Sequence, residues 1–138
     1  MTYILDDPKI NIKLKLAMLW AAVMFCYIYA DILGLYDPWL LGEIMQGNMG
    51  PLGPITQALK LGVAVLMSIP AFMVFLSVAL KPGVNRWLNI IFGILFTLVI
   101  LATLFMGPRL YYIYFAVLEA ALTSLIVWYA WKWPGRES

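Results

Sequence analysis

The chain has 138 residues, 64% of them hydrophobic and 12% charged, with nine Lys and Arg against seven Asp and Glu for a net charge of +2. A soluble domain of this size carries roughly 25% charged residues and leaves much of its surface in water, so an ordinary soluble globule is excluded and lipid must be the solvent. The thin spread of charge offers no basic stripe for nucleic acid, the lack of histidine removes the commonest metal ligand and proton shuttle, and Cys26, the single cysteine, excludes an intrachain disulfide.

A helix crossing the bilayer needs about 20 mostly apolar residues, and four segments qualify. They run from Leu14 to Leu33, Ile55 to Leu80, Trp87 to Met106 and Tyr111 to Trp131. Ahead of the first, basic residues before an apolar run imitate a secretory leader. Ile28 at the minus-three position from Ala30, and Asp6 and Asp7 in the leader, argue instead for a retained first helix.

The connection from Gly34 to Pro54 holds a shorter apolar stretch. Asp37 suits a helix N-cap, Pro38 a first helical position and Gly47 a helix end, so Pro38 to Gln46 reads as a short helix at the membrane surface. Lys81-Pro82-Gly83 closes the second span and Gly107-Pro108 separates the third from the fourth, making each adjacent pair an antiparallel hairpin. Gly53-Pro54 and Gly107-Pro108 each precede the second helix of a hairpin, a match too short to establish a repeat. The reading is a single all-α domain over residues 1–138, a transmembrane four-helix bundle with a short interfacial helix in its first extracytoplasmic loop.

Cytoplasmic loops carry the excess of Lys and Arg. Lys9, Lys13, Lys15, Lys81, Arg86, Lys132 and Arg136 fall on one side, against Lys60 and Arg109 on or near the other, which places both termini inside. Tyr36, Trp39, Trp87, Tyr111, Tyr112, Trp128, Trp131 and Trp133 cluster near the expected interfaces as anchors.

Charge inside a span costs about 2.5–3.5 kcal/mol at the helix centre on insertion scales, so each such residue needs a partner or a purpose. Glu119 lies eight residues into the fourth span, about 12 Å below its outer end at 1.5 Å per residue. Lys60 is five residues into the second span and Asp31 two from the outer end of the first. All three fall in the outer half of the bilayer. Helical spacing groups Tyr112, Ala116, Glu119, Thr123 and Ile126 on the fourth span, Gln57, Lys60, Ala64, Ser68 and Ala71 on the second, and Trp20, Met24, Tyr27 and Asp31 on the first. The expected centre is a polar pocket, open to the outside, with Glu119, Lys60, Asp31, Gln57, Tyr27, Tyr112 and Thr123 as ligand- or ion-binding candidates. The plainer alternatives are that Asp31 reaches the headgroups, Lys60 snorkels outward, and Glu119 is a neutral acid hydrogen-bonded to a neighbouring helix.

Pro70 is expected to kink the second helix, Arg86 and Asn89 to fix the inner end of the third to the headgroups or to another helix, and Gly93 with Thr97 to mark a close helix crossing. Methionines are scattered, and no phosphate loop, dinucleotide fingerprint, paired cysteines or nucleophile elbow occurs, so no metal, cofactor or catalytic residue is expected.

Tyr29-Ala30-Asp31-Ile32-Leu33, Tyr36-Asp37-Pro38, Ile69-Pro70, Asn85-Arg86-Trp87, Thr103-Leu104-Phe105, Tyr111-Tyr112 and Glu119 before Trp128-Tyr129-Ala130-Trp131-Lys132 occur in this order. Together they span nearly the whole chain, which resembles a family of small bacterial four-helix membrane proteins of unknown function. The resemblance implies the fold and a bacterial inner-membrane setting, and it brings no activity to carry over.

Three functions compete. One is a small transporter, channel or ligand-binding membrane protein, binding a small polar or cationic ligand at Glu119 in a proton-linked way and working as a homo-oligomer among membrane lipids. A second is an accessory or scaffold subunit whose polar groups only hold helices or a partner. The third, an enzyme using Asp31 and Glu119 as acid and base on a lipid-soluble substrate, is disfavoured by the lack of histidine, metal cluster or cofactor motif.

Overall fold

The computed structural model describes residues 2–106 and 109–135. Within them lie five α-helices: α1 Ile12–Leu35, α2 Pro38–Met45, α3 Gln57–Ala79, α4 Pro82–Thr103 and α5 Leu110–Trp131. Four are long and apolar enough to cross a membrane. Even the shorter of these, at 22 residues, extends about 33 Å at 1.5 Å per residue, enough for the hydrocarbon core. The expected Gly107-Pro108 turn and Arg136 lie outside the described residues.

Local chemistry sets the helix starts. Asn11, Asp37 and Thr56 each turn a side-chain oxygen onto a backbone N–H of the first turn, from Lys13, Trp39 and Leu59 respectively, satisfying donors a helix cannot. Helix α2 ends as the sequence implies. Gly47 takes φ of 85°, and the N–H groups of Asn48 and Gly47 bond back to the carbonyls of Glu43 and Ile44, the Schellman arrangement. The short helix therefore closes within one loop, between the ends of α1 and α3.

One boundary differs by five residues. The third span was expected to begin at Trp87, and α4 begins at Pro82. Pro82-Gly83 resembles a turn, yet proline is equally at home in the first position of a helix, where its missing N–H is not needed. Only Leu80 and Lys81 link α3 to α4, and Asn85 and Arg86 lie inside the helix.

The four long helices run antiparallel in sequence order. Helix α5 packs along both α4 and α1, α1 also packs along α3, and α3 touches α4 far less. A Cβ on Gly93 would lie 2.6 Å from Cγ2 of Val127, so the α4–α5 crossing is as close as a glycine permits. The core threads between the helices as Leu16, Trp20, Val23, Met73, Phe96 and Ile126, all 1% exposed or less. Outside it, Phe25, Phe72, Phe75, Ile91, Leu98 and Val117 face outward, an apolar surface that a bilayer covers and water would not.

One end of the bundle is tied by amides. Trp20 on α1 donates its indole N–H to Asn89 Oδ1 at 2.8 Å, Asn89 Nδ2 donates to Asn85 Oδ1 at 2.7 Å, and Asn85 Nδ2 donates to the Ser77 carbonyl on α3 at 2.6 Å. Trp20, Ser77, Asn85 and Asn89 are fully buried, so three helices share a satisfied polar network. Beside it Arg86 donates from Nε to the Ala130 carbonyl at 3.0 Å and from Nη2 to that of Trp131 at 3.3 Å, capping α5. Asn89 and Arg86 thus fix this end of α4 to other helices, as expected from the sequence.

Candidate functional site

At the opposite end, α1, α4 and α5 enclose a cavity of about 60 Å³. Tyr27 and Asp31 are one turn apart on α1; Tyr112, Phe115 and Glu119 recur at helical spacing on α5; Thr103 stands at the last turn of α4. All six line the space, with aliphatic side chains between them. Four of the seven residues expected to form a pocket, Glu119, Asp31, Tyr27 and Tyr112, are therefore brought together.

Glu119 is only 5% exposed, and its Oε1 has no hydrogen-bond partner among the described residues. The Tyr27 hydroxyl is likewise buried and unpartnered. An unmet buried acceptor is expensive, more so for a carboxylate in a low-dielectric setting, so these atoms mark a site suited to another molecule. Asp31 is exposed at the rim of the cavity. Thr103 donates to the Ile100 carbonyl at 2.6 Å and so presents its oxygen rather than its proton to the space.

The cavity ends within the bundle. Tyr27 packs on Phe96 at 6.3 Å between ring centroids, and Phe96 meets Trp20 edge-on at 6.0 Å. Thr123, one turn beyond Glu119, is fully buried and does not line the cavity; its hydroxyl lies 2.7 Å from that of Thr97, which itself donates to the Gly93 carbonyl at 2.7 Å. Thr97 and Gly93 thus serve the helix crossing, and Thr123 joins them there rather than in the pocket.

Gln57 and Lys60 depart from expectation. Both are exposed in the first turn of α3 and neither lines the cavity. The buried face of α3 is instead Pro70, Met73 and Ser77, with Leu66, Ile69 and Val74 packed against the core. The stripe of Gln57, Lys60, Ala64 and Ala71 faces away because α3 packs on α1, while the walls of the cavity come from α1, α4 and α5. Helix α3 also stays helical through Pro70, and Ser68 donates to the Val65 carbonyl at 2.6 Å rather than to that of Leu66, which loses its donor to the proline.

Two features escaped the sequence reading. Phe115 and Thr103 line the cavity, and only their one-turn spacing from Glu119 and Val99 could have signalled it. Asp37, besides capping α2, pairs with Arg109 at the start of α5, and the guanidinium stacks 4.2 Å from the Trp39 ring centroid. This clamp fastens the surface helix to the end of the bundle that holds the cavity. Among the described residues no group of three or more His, Cys, Asp or Glu assembles a metal site.

Four apolar spans and an exterior of exposed apolar side chains define a multi-pass integral membrane protein. The chain belongs to DUF6326, a family of unknown function whose model matches residues 5–138. No curated protein and no solved structure matches it.

Proposed function

We propose that the protein is a small ligand-binding membrane protein of the transporter or channel class, with its binding site in the outer half of a bacterial cytoplasmic membrane and both termini in the cytoplasm. The observation that carries this reading is Glu119 Oε1, buried without a partner at the wall of a cavity that also holds Asp31 and Tyr27. Two carboxylates with no Lys or Arg among the lining residues favour a cationic or neutral polar solute and oppose an anion. Because Phe96 and Trp20 close the axis beneath, passage requires a rearrangement or assembly of several copies, and a homo-oligomer is the arrangement we favour.

Purified protein in liposomes, compared with Glu119→Gln, tests this. Binding or uptake of small polar and cationic solutes is expected in the wild type and lost in the variant, with insertion and melting temperature preserved. Unchanged behaviour across all solutes would defeat the proposal. The alternative, an accessory or scaffold subunit, is favoured by the fully satisfied Trp20–Asn89–Asn85–Ser77 network, which serves only to hold helices. It requires that no solute binds and that Glu119→Gln alters only stability or assembly.

A further inference from the structure

We infer that the occupant of the cavity is an ammonium centre with free N–H donors, either the ammonium ion itself or the –NH₃⁺ head of methylammonium or a longer alkylamine. This deepens the reading of the same site and rests on it. The cavity, about 60 Å³, holds a few water-sized groups, since about 10–15 Å³ of such space holds one water. An aminomethyl group fits within it; a quaternary ammonium has no N–H and would leave Glu119 Oε1 without a donor.

The distribution of atoms selects among small cations. Carboxylate oxygens come from Glu119 and Asp31, and hydroxyl oxygens from Tyr27, Tyr112 and Thr103. The remaining wall is carbon: the Phe115 ring, the tyrosine faces and the aliphatic residues of α4. Calcium and magnesium take most of their protein ligands from clustered carboxylates, whereas only two line this cavity and, among the described residues, no group of three or more His, Cys, Asp or Glu could hold a metal ion. An ammonium group has three directional N–H donors instead. One matches the unpartnered Glu119 Oε1, another the rim carboxylate of Asp31 or the lone pair of the buried Tyr27 hydroxyl, and the aromatic faces attract the residual charge. The methyl or alkyl part then lies against carbon or leaves past Asp31 at the open rim.

The test uses full-length protein in detergent micelles, with equilibrium binding of radiolabelled methylammonium and competition at constant ionic strength. Methylammonium is expected to bind and to be displaced by ammonium, but not by sodium, potassium, calcium or tetramethylammonium. Glu119→Gln should weaken binding about tenfold or more, as loss of one charge-assisted hydrogen bond implies. Asp31→Asn, at the exposed rim, gives a second variant should the first misfold, and is expected to weaken binding less. Butylammonium distinguishes the sources: displacement as effective as by methylammonium marks the head of a longer amine, whereas weaker displacement marks the small free amines. Glu119-dependent binding of potassium, calcium or tetramethylammonium in place of methylammonium would overturn the ammonium assignment while leaving the site itself standing. No binding of any cation, with Glu119→Gln melting at or above the wild-type temperature, would overturn both.

Discussion

With a Cβ on Gly93 reaching within 2.6 Å of Val127 Cγ2, a side chain there must displace Val127, by rotating it or by moving α5 away from α4. Gly93→Val is therefore expected to lower stability by about 1–3 kcal/mol, the usual penalty of overpacking, seen as a fall in melting temperature in detergent. Asn89 is the other residue whose replacement reaches far. Its side chain accepts from Trp20 and donates to Asn85, and Asn89→Leu would strand both buried partners. The expected loss is about 1–3 kcal/mol per unsatisfied group, and Trp20→Phe combined with Asn89→Leu should recover part of it in a double-mutant cycle. Glu119 was legible before any coordinates, since a carboxylate in mid-span has few places to go. Asn85 was not, because Pro82-Gly83 before it reads equally as a turn and as a helix start.

Among the elements, α5 declared its packed face in the sequence and α3 did not. Ala116, Glu119 and Thr123 are small or polar residues repeating at helical spacing in an apolar background, and these are buried together with Ile126 and Ala130 on the same face. Helix α3 is apolar nearly all round, and its polar positions Gln57 and Lys60 fall in the first turn, near the headgroups, where polarity reports the interface with water rather than contact with a helix. On the face it buries, Pro70, Met73 and Ser77, Ser77 alone is polar, and a single serine does not mark a face. The surface helix α2 was legible from Asp37, Pro38 and Gly47, but its tether to Arg109 pairs residues distant in the chain and has no local signature. Arg109→Gln should free α2 while leaving the bundle intact, raising hydrogen exchange and proteolysis between Met45 and Ile55 with little change in melting temperature; the half-buried ion pair itself is worth about 1 kcal/mol.

For the molecule as a whole, the four spans followed from composition alone, whereas the seating of the helices depends on contacts between residues distant in the chain, such as Gly93 with Val127, Trp20 with Asn89 and Asn85 with Ser77. Orientation is testable independently. In a Cys26→Ser background, Gln46→Cys and Lys81→Cys place thiols at opposite ends of the bundle, and an impermeant maleimide added to intact cells is expected to label Gln46→Cys only. The reverse pattern would invert the protein and turn the Glu119 cavity toward the cytoplasm. The uneven attachment of α3 has a further consequence for assembly. Since α3 packs on α1 and hardly on α4, while α5 joins α1 to α4, co-expressed fragments divided within the α3–α4 link, one carrying α1 and α3 and the other α4 and α5, should reassociate in the membrane through the α1–α5 seam.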